Sequence, residues 1–190
     1  LLPSSFFLLP SSFFLLPSFM KILTDWGFTR EGWRNNSHGE YLVLLQGALL
    51  AAFVILPVYQ LPGFKIQSTQ LLYLTWFLAS IPALSGLILI IKGLIDLGTN
   101  LTPLPYPIEG GKLVKTGIYG IVRHPLYSGL ISAALAWTIF QFSLSHLIAT
   151  AILLIFFNIK ANREETWLSD KYPEYSEYRQ RVKKLIPGIY

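Results

Sequence analysis

The chain has 190 residues, of which 53% are hydrophobic and only 13% carry a charge. A soluble domain has about 25% charged residues, so this composition excludes an ordinary soluble domain and indicates an integral membrane protein. The length suits a single helical bundle. The net charge of +5 would also suit a nucleic-acid partner, but the distribution of basic residues described below favours a cytoplasmic membrane surface, and we expect no nucleic-acid partner.

Thiol and metal chemistry are both disfavoured by residue counts. The sequence has no cysteine, which excludes a disulfide, a thiolate nucleophile or a cysteine-based zinc site within this chain. The three histidines, His38, His124 and His146, are far apart and show no ligand spacing. We therefore predict no metal site.

Residues 1–19 repeat the segment LLPSSFF with a proline in every copy and no charge. Regular prolines oppose a spanning helix, and the only methionine is Met20. We interpret this stretch as a low-complexity extension outside the fold, in preference to a targeting signal, which should carry an initial positive charge and a small-residue cleavage site. Residues 20–190 are then expected to form one membrane domain.

Two apolar runs predict the first two membrane helices. Residues 41–64 carry no charge, and Tyr41 to Tyr59 is long enough for one crossing of ~20 residues. Leu71 to Leu94 forms the second run, in which Pro82 would kink a spanning helix without preventing it. The prolines and glycines that follow, in residues 98–125, favour a functional loop over a passive connector.

Residues 117–129 concentrate an arginine, a histidine, two tyrosines, a proline and three glycines just before the next apolar run. Such a stretch is typical of a polar site at the water boundary, but the same residue types also serve as an interfacial anchor. These residues alone leave the two interpretations about equal.

The final apolar run, residues 125–159, is too short for two full crossings and too long for one. It predicts a helical hairpin with arms at about 126–142 and 146–160 and with His146 as an interfacial residue at its tip. The polar tail then places Tyr175, Tyr178 and Val182 on one face of a helix, as expected for a helix lying along the membrane surface.

The predicted topology separates the charges. With four crossings, the N-terminal segment, the 98–125 loop and the C-terminal tail fall on one side, and of 15 Lys and Arg residues only Lys65 falls on the other. This asymmetry predicts that the basic side is cytoplasmic. Glu164 and Glu165 lie on that side, where a carboxylate pair can act in acid–base chemistry, bind a cation or bind a ribose diol, or can simply form a solvated helix end paired with Lys160 or Arg163.

Taken together, these residues resemble the isoprenylcysteine carboxyl methyltransferase family and its phospholipid methyltransferase relatives. The resemblance covers about residues 70–187 and rests on four elements. They are Leu113-Val114, Gly117-x-Tyr119-x-x-x-Arg123-His124-Pro125-x-Tyr127-x-Gly129, Glu164-Glu165-x-x-Leu168 and Tyr178-x-x-Arg181-Val182.

The resemblance implies a multi-pass membrane enzyme that uses S-adenosylmethionine in a cytosolic pocket. The residues that it assigns to cofactor binding are Lys112, Leu113, Val114, Tyr119, His124, Pro125, Leu126, Tyr127 and Glu164. It gives Arg123 and Glu165 a catalytic role in support of that pocket, and it places the substrate-binding cation at Lys160, where the family has arginine. Lysine keeps the charge but cannot bind a carboxylate through two parallel hydrogen bonds.

The function that the resemblance implies is methyl transfer by direct in-line displacement to a membrane-embedded or apolar acceptor. A prenylcysteine-like carboxylate, a lipid and a thiol all remain open as acceptors. A carboxylate would need no base, whereas a thiol or amine would have to lose a proton to His124, Tyr127 or Glu165. The alternatives are an NADPH-dependent sterol-type reductase and a non-enzymatic membrane scaffold.

Overall fold

The computed structural model describes residues 21, 23–24, 26–60, 62–63 and 68–190. The predicted extension at residues 1–19 and Lys65, the one basic residue assigned to the opposite side, lie outside the described residues. Within the described part, regular structure is helical apart from one parallel bridge between Val122 and Lys183. The predicted all-α class is confirmed.

Four long apolar helices and two short ones follow one another along the described residues. They are α1 (Arg30–Asn35), α2 (Glu40–Ile55), α3 (Thr69–Leu97), α4 (Pro125–Gln141), α5 (Leu144–Lys171) and α6 (Tyr175–Arg181). By length and composition α3 and α5 can cross a membrane, and α2 is a shorter apolar helix. Their outward side chains are large and apolar, as at Val54 and Phe77, which are 80% and 65% exposed, so these faces suit contact with lipid.

The predicted hairpin is formed by α4 and α5, and its second arm is longer than expected. Phe142 adopts a left-handed conformation with φ of 47°, and the Ser143 hydroxyl accepts a hydrogen bond from the His146 backbone at the start of α5. The helix does not end where the polar sequence begins, because Lys160 and Glu165 turn inward and are only 1% and 2% exposed. It therefore continues to Lys171.

His146, predicted as an interfacial residue at the tip of the hairpin, lies at that tip and is buried there. It is 1% exposed, its Nδ1 atom lies 2.9 Å from the Ser143 hydroxyl, and its ring packs edge-on against Phe53 at 5.0 Å. The side chain is therefore part of the packing between α2 and the hairpin.

Glycines let α3 and α4 approach closely. A Cβ atom on Gly86 would lie 2.9 Å from the Gly129 carbonyl oxygen, and one on Gly129 would lie 2.6 Å from Ile90 Cγ1. Both positions therefore require glycine for contact between the helices. Gly129, the last glycine of the sequence motif, thus serves the packing of α4 against α3.

The polar segments meet at one end of the bundle. The Thr102 hydroxyl donates to the Trp26 carbonyl at 2.8 Å, and the Lys171 ammonium donates to the Ile108 carbonyl at 2.5 Å. At the opposite end, the Leu144 backbone donates to the Tyr59 carbonyl at 2.8 Å. The N-terminal segment, the loop after α3 and the C-terminal part of the chain therefore lie at the same end, as the charge distribution predicts.

The C-terminal helix α6 is present, but its tyrosines face the protein. Tyr175 and Tyr178 are 1% and 6% exposed, and the Tyr178 hydroxyl donates to the Tyr119 carbonyl at 2.6 Å. Val182, predicted on the same helical face, follows the end of the helix in extended backbone. The aromatic face of α6 therefore closes the polar end of the bundle.

Candidate functional site

The motif at residues 117–129 begins with a turn that a side chain of α3 holds in place. Residues Gly117–Gly120 form a short 3-10 helix, and the Asp96 carboxylate at the end of α3 accepts a hydrogen bond from the Ile118 backbone at 2.7 Å. Gly117 has a φ of 62°, and a Cβ atom there would collide with that carboxylate. Glycine at this position therefore permits both the backbone conformation and the capping contact.

Glu165 is the centre of a buried charged cluster. Its Oε1 atom lies 2.8 Å from Arg123 Nε and 3.1 Å from His124 Nε2, and all three side chains are at most 9% exposed. The Arg179 guanidinium approaches the other carboxylate oxygen at 3.6 Å. One carboxylate on α5 thus holds the turn that precedes α4.

The C-terminal segment is tied to the same turn through backbone atoms. The Arg123 and His124 amides donate to the Lys183 and Lys184 carbonyls at 2.8 and 3.1 Å. The Arg123 guanidinium also donates to the Arg179 carbonyl at 3.0 Å and to the Val182 carbonyl. The turn, α5 and the C-terminal segment therefore form one hydrogen-bonded unit.

Glu164, next to the buried carboxylate, faces open space. The Tyr127 hydroxyl donates to its Oε2 atom at 2.7 Å, and the His124 ring stacks on the Tyr127 ring with centroids 5.3 Å apart. The Glu164 side chain is 26% exposed. It is therefore held in place and still accessible to a bound molecule.

Two clefts open beside this unit. The first lies between α5, α6 and the loop of residues 98–114, which we call the Gly/Pro loop. Residues of the loop contribute most of its wall, namely Asn100, Thr102, Leu104, Pro105, Tyr106, Pro107, Ile108, Gly111, Lys112, Leu113 and Val114. That wall contains both polar and apolar groups.

The second cleft extends between the membrane helices. Its wall is mostly apolar, with Ile90 and Leu94 from α3 and Leu126 and Leu130 from α4. Lys160 and Arg123 are the cations in this wall, and the Lys160 Nζ atom donates to Gln46 Oε1 at 2.5 Å and to the Pro103 carbonyl at 2.8 Å.

The two clefts meet at a junction lined by Tyr119, Arg123 and Glu164, which border both of them. Burial, and then the nearby Glu164 carboxylate, raise the pKa of Tyr119 above its ordinary value. The hydroxyl therefore stays protonated at neutral pH and donates to the Gly93 carbonyl at 3.4 Å. Glu164 is then the accessible negative charge of the junction.

The residues predicted to bind one cofactor are divided between these clefts. Lys112, Leu113, Val114, Tyr119 and Glu164 border the first, whereas His124, Pro125, Leu126 and Tyr127 border the second together with Lys160. Arg123 lies at the junction, and Glu165 lies behind it in the buried cluster.

Sequence reasoning missed several residues that shape the site. Asp96 caps the motif turn, Gln46 pairs with Lys160, and Asn100 accepts a hydrogen bond from the Lys112 amide at 2.9 Å. The capping role of Asp96 could have been predicted from the sequence, because this acidic residue lies at the end of a long apolar helix. The sequence around Gln46 and Asn100 indicates no such role, because their hydrogen-bond partners lie 114 and 12 residues away.

We predict that Glu165→Gln destabilises the protein. The substitution leaves the buried Arg123 guanidinium without its counter-charge, which costs about 3 kcal/mol or more when one partner of a buried pair is removed. Thermal unfolding in detergent should show a lower Tm, with faster hydrogen exchange at the amides of Arg123 and His124. The matched control is Glu177→Gln, which removes an exposed pair with Arg181 and should leave the Tm unchanged; an equal Tm for both variants would contradict the prediction.

Comparison with known proteins agrees with this architecture. The family described as phospholipid methyltransferase matches residues 74–175, more than half of the chain. In overall fold the chain resembles the solved eukaryotic intramembrane Ras methyltransferase ICMT (isoprenylcysteine carboxyl methyltransferase), with a TM-score of 0.57 and 21% identity over 82% of this chain and 54% of that one.

Three curated relatives match shorter regions. Methanethiol S-methyltransferase 1 of Bradyrhizobium diazoefficiens is 38% identical over 71 residues, which is 37% of this chain and 24% of that protein. The probable protein-S-isoprenylcysteine O-methyltransferase of Oryza sativa subsp. indica is 35% identical over 80 residues, 41% of this chain and 42% of that protein. The Delta(14)-sterol reductase TM7SF2 of Mus musculus is 37% identical over 86 residues, 43% of this chain and 20% of that protein.

The chain therefore covers less than half the length of each of these curated relatives. The family match, in contrast, includes the motif turn, the Glu164-Glu165 pair and the start of α6, and so contains most of the site described above. The chain belongs to the phospholipid methyltransferase family of membrane proteins, to which the isoprenylcysteine methyltransferases are related.

Proposed function

We propose that this protein transfers a methyl group from S-adenosylmethionine to an acceptor with an apolar body, at the cytoplasmic face of a membrane. The observation that carries the proposal is the junction, at Tyr119, Arg123 and Glu164, of a cleft that has polar and apolar groups in its wall with a cleft whose wall is mostly apolar. Two substrates of opposite polarity can meet there without sharing an entrance. The basic residues at this end of the bundle support its cytoplasmic orientation.

The first cleft fits S-adenosylmethionine by the chemistry of its wall. Leu104, Leu113 and Val114 offer apolar contact for a purine ring, and the Lys112 ammonium at the mouth suits an amino-acid carboxylate. The Glu164 carboxylate, at the inner end, suits a positive charge. We assign these residues to the cofactor.

The Gly/Pro loop that forms this wall is fixed before any ligand binds. The Tyr172 hydroxyl donates to the Gly111 carbonyl at 2.7 Å, and Lys171 donates to the Ile108 carbonyl at 2.5 Å. A preorganised site loses less conformational entropy on binding. The loop conformation therefore supports a binding role.

The cofactor supplies a methyl group that is already activated by its attachment to a sulfonium sulfur. The protein then has to align the acceptor and exclude water. Because Glu164 borders both clefts, its carboxylate can hold positive charge at the point where the methyl group must leave the first cleft and enter the second. Arg123 and Glu165 act as positioning residues, since their charged groups are bound to each other and to the C-terminal segment.

The second cleft indicates the chemistry of the acceptor. Its walls of Ile90, Leu94 and Leu130 suit an apolar body, and the buried Lys160 ammonium has hydrogen-bonded neutral partners, Gln46 and the Pro103 carbonyl, among the described residues. A buried ammonium attracts an anion strongly. We therefore favour an acceptor that reacts as a carboxylate or a thiolate over an amine lipid.

A thiol acceptor would require removal of a proton. Glu165 is poorly placed for this step, because it is 2% exposed and borders neither cleft. Tyr127 is hydrogen-bonded to Glu164 and borders the second cleft, so this pair is the better-placed proton acceptor. A carboxylate acceptor would need neither group.

The second candidate is an NADPH-dependent sterol-type reductase. It is favoured by the match to the mouse Delta(14)-sterol reductase over 86 residues. It predicts binding of NADPH in the first cleft, with a lysine near the 2′-phosphate. Direct titration separates the two functions.

We predict that the purified protein in detergent binds S-adenosylmethionine and S-adenosylhomocysteine and does not bind NADPH. Glu164→Gln should weaken S-adenosylmethionine binding about tenfold or more, because it removes a charge-assisted interaction worth ~1.5–3 kcal/mol. The loss should be smaller for S-adenosylhomocysteine, whose sulfur is uncharged.

The Tm of Glu164→Gln should remain that of the wild type, since the amide oxygen still accepts from Tyr127. Glu177→Gln again serves as the control with unchanged affinity. Binding of NADPH without binding of either adenosyl compound would overturn the methyltransferase proposal in favour of the reductase.

We predict that Lys160→Met lowers methyl transfer to anionic acceptors about tenfold or more, through loss of the cleft's positive charge. Labelled S-adenosylmethionine would be incubated with a prenylated cysteine carboxylate, an alkanethiol or vesicles containing phosphatidylethanolamine. Cofactor affinity should not change, which confirms that the variant is folded. Lys115→Met, at an exposed position that borders neither cleft, is the control, and labelling of phosphatidylethanolamine alone would contradict the assignment.

A further inference from the structure

Tyr175 stands out among the residues of the first cleft because its hydroxyl has no partner. The side chain is 1% exposed, and within the described part of the chain no group forms a hydrogen bond with this oxygen. Two neighbouring tyrosines of this cleft are paired, since Tyr172 donates to Gly111 and Tyr178 donates to Tyr119. A buried hydroxyl without a partner is destabilising, so its presence requires an explanation.

The surroundings of this hydroxyl define what it can bind. Tyr175 begins α6, its ring packs edge-on against Tyr178 at 5.7 Å, and it borders the first cleft together with Arg123 and Glu164. Burial, and then the Glu165 carboxylate, raise the pKa of Tyr175 above its ordinary value. The group is therefore a neutral hydrogen-bond donor at any physiological pH.

A second buried atom close to this position is also incompletely paired. Glu165 Oε2 forms no hydrogen bond within the described residues, although Arg179 Nε lies 3.6 Å from it as an ion pair. Within the described residues neither this oxygen nor the Tyr175 hydroxyl therefore has a hydrogen-bond partner, and Tyr175 borders the first cleft.

We propose that the Tyr175 hydroxyl is a further ligand-binding group of the first cleft and donates a hydrogen bond to an acceptor atom of S-adenosylmethionine. The inference rests on the proposed function and adds to it a contact from α6, on the side opposite the Gly/Pro loop. The cofactor would then be held between the loop and the C-terminal helix. Binding would satisfy a polar group that the free protein leaves unpaired.

The test is Tyr175→Phe, with binding of S-adenosylmethionine and S-adenosylhomocysteine measured by titration and the Tm of the free protein measured in parallel. Removing an unpaired hydroxyl should leave the Tm of the free protein equal or higher. Affinity for both compounds should fall about threefold to tenfold, the value of one neutral hydrogen bond. The stabilisation of the protein by saturating ligand should shrink accordingly.

Two control variants make the result specific. Tyr178→Phe removes a hydroxyl that is paired with the Tyr119 carbonyl, so it should lower the Tm of the free protein. Tyr190→Phe removes a hydroxyl that is bonded to Asn158 and remote from both clefts, so it should leave affinity unchanged.

The failure of this inference can be told apart from that of the proposed function. If the wild type binds S-adenosylmethionine and Tyr175→Phe binds it equally well, the hydroxyl is not a ligand and the proposed function stands. If Tyr175→Phe lowers the Tm of the free protein as Tyr178→Phe does, the hydroxyl serves the fold through Glu165 and the inference is wrong. If the wild type binds neither adenosyl compound, both proposals fail.

Discussion

The geometry of the site depends on one buried carboxylate. Glu165 accepts from Arg123 and His124 through the same oxygen, and Arg123 in turn binds the carbonyls of Arg179 and Val182. A charge buried to this extent is stable only when it is paired and hydrogen-bonded. The turn before α4, the aqueous end of α5 and the C-terminal segment are therefore constrained to a single arrangement, and the positions of both clefts follow from it.

That arrangement also explains why two adjacent glutamates have different roles. On α5 their side chains point about 100° apart, as successive residues of a helix do. Glu165 faces the turn and is 2% exposed, whereas Glu164 faces the clefts with Tyr127 as its partner. The buried carboxylate fixes the helix, and the fixed helix holds the accessible carboxylate where the two clefts join.

Much of the fold is predictable because its cause is local. Charge-free runs of sufficient length indicate the four long helices, and the lack of charge in residues 125–159 indicates the hairpin. The end of α5 was not predictable in the same way. Polarity after Asn158 suggested a helix end, but Lys160 and Glu165 are buried against partners distant in sequence, so the helix continues to Lys171.

In the candidate site, too, features with a local cause were predictable and features that depend on distant residues were not. The residues of the Arg-His-Pro-x-Tyr turn and the glutamate pair were identified from sequence, because their spacing is characteristic. The division of these residues between two clefts could not be predicted from the sequence, because it depends on how the loop at residues 98–114 folds over the end of α5. The direction of the tyrosines on α6 was also inaccessible, because an aromatic helical face packs equally well against lipid or protein.

A structure of the protein in complex with S-adenosylhomocysteine tests the role of the junction between the two clefts most directly. We predict that the adenosine lies in the first cleft, between the Gly/Pro loop and α6, with the sulfur at the junction beside Glu164 and facing the apolar cleft. Adenosine bound in the second cleft, or a sulfur atom directed away from the junction, would contradict it.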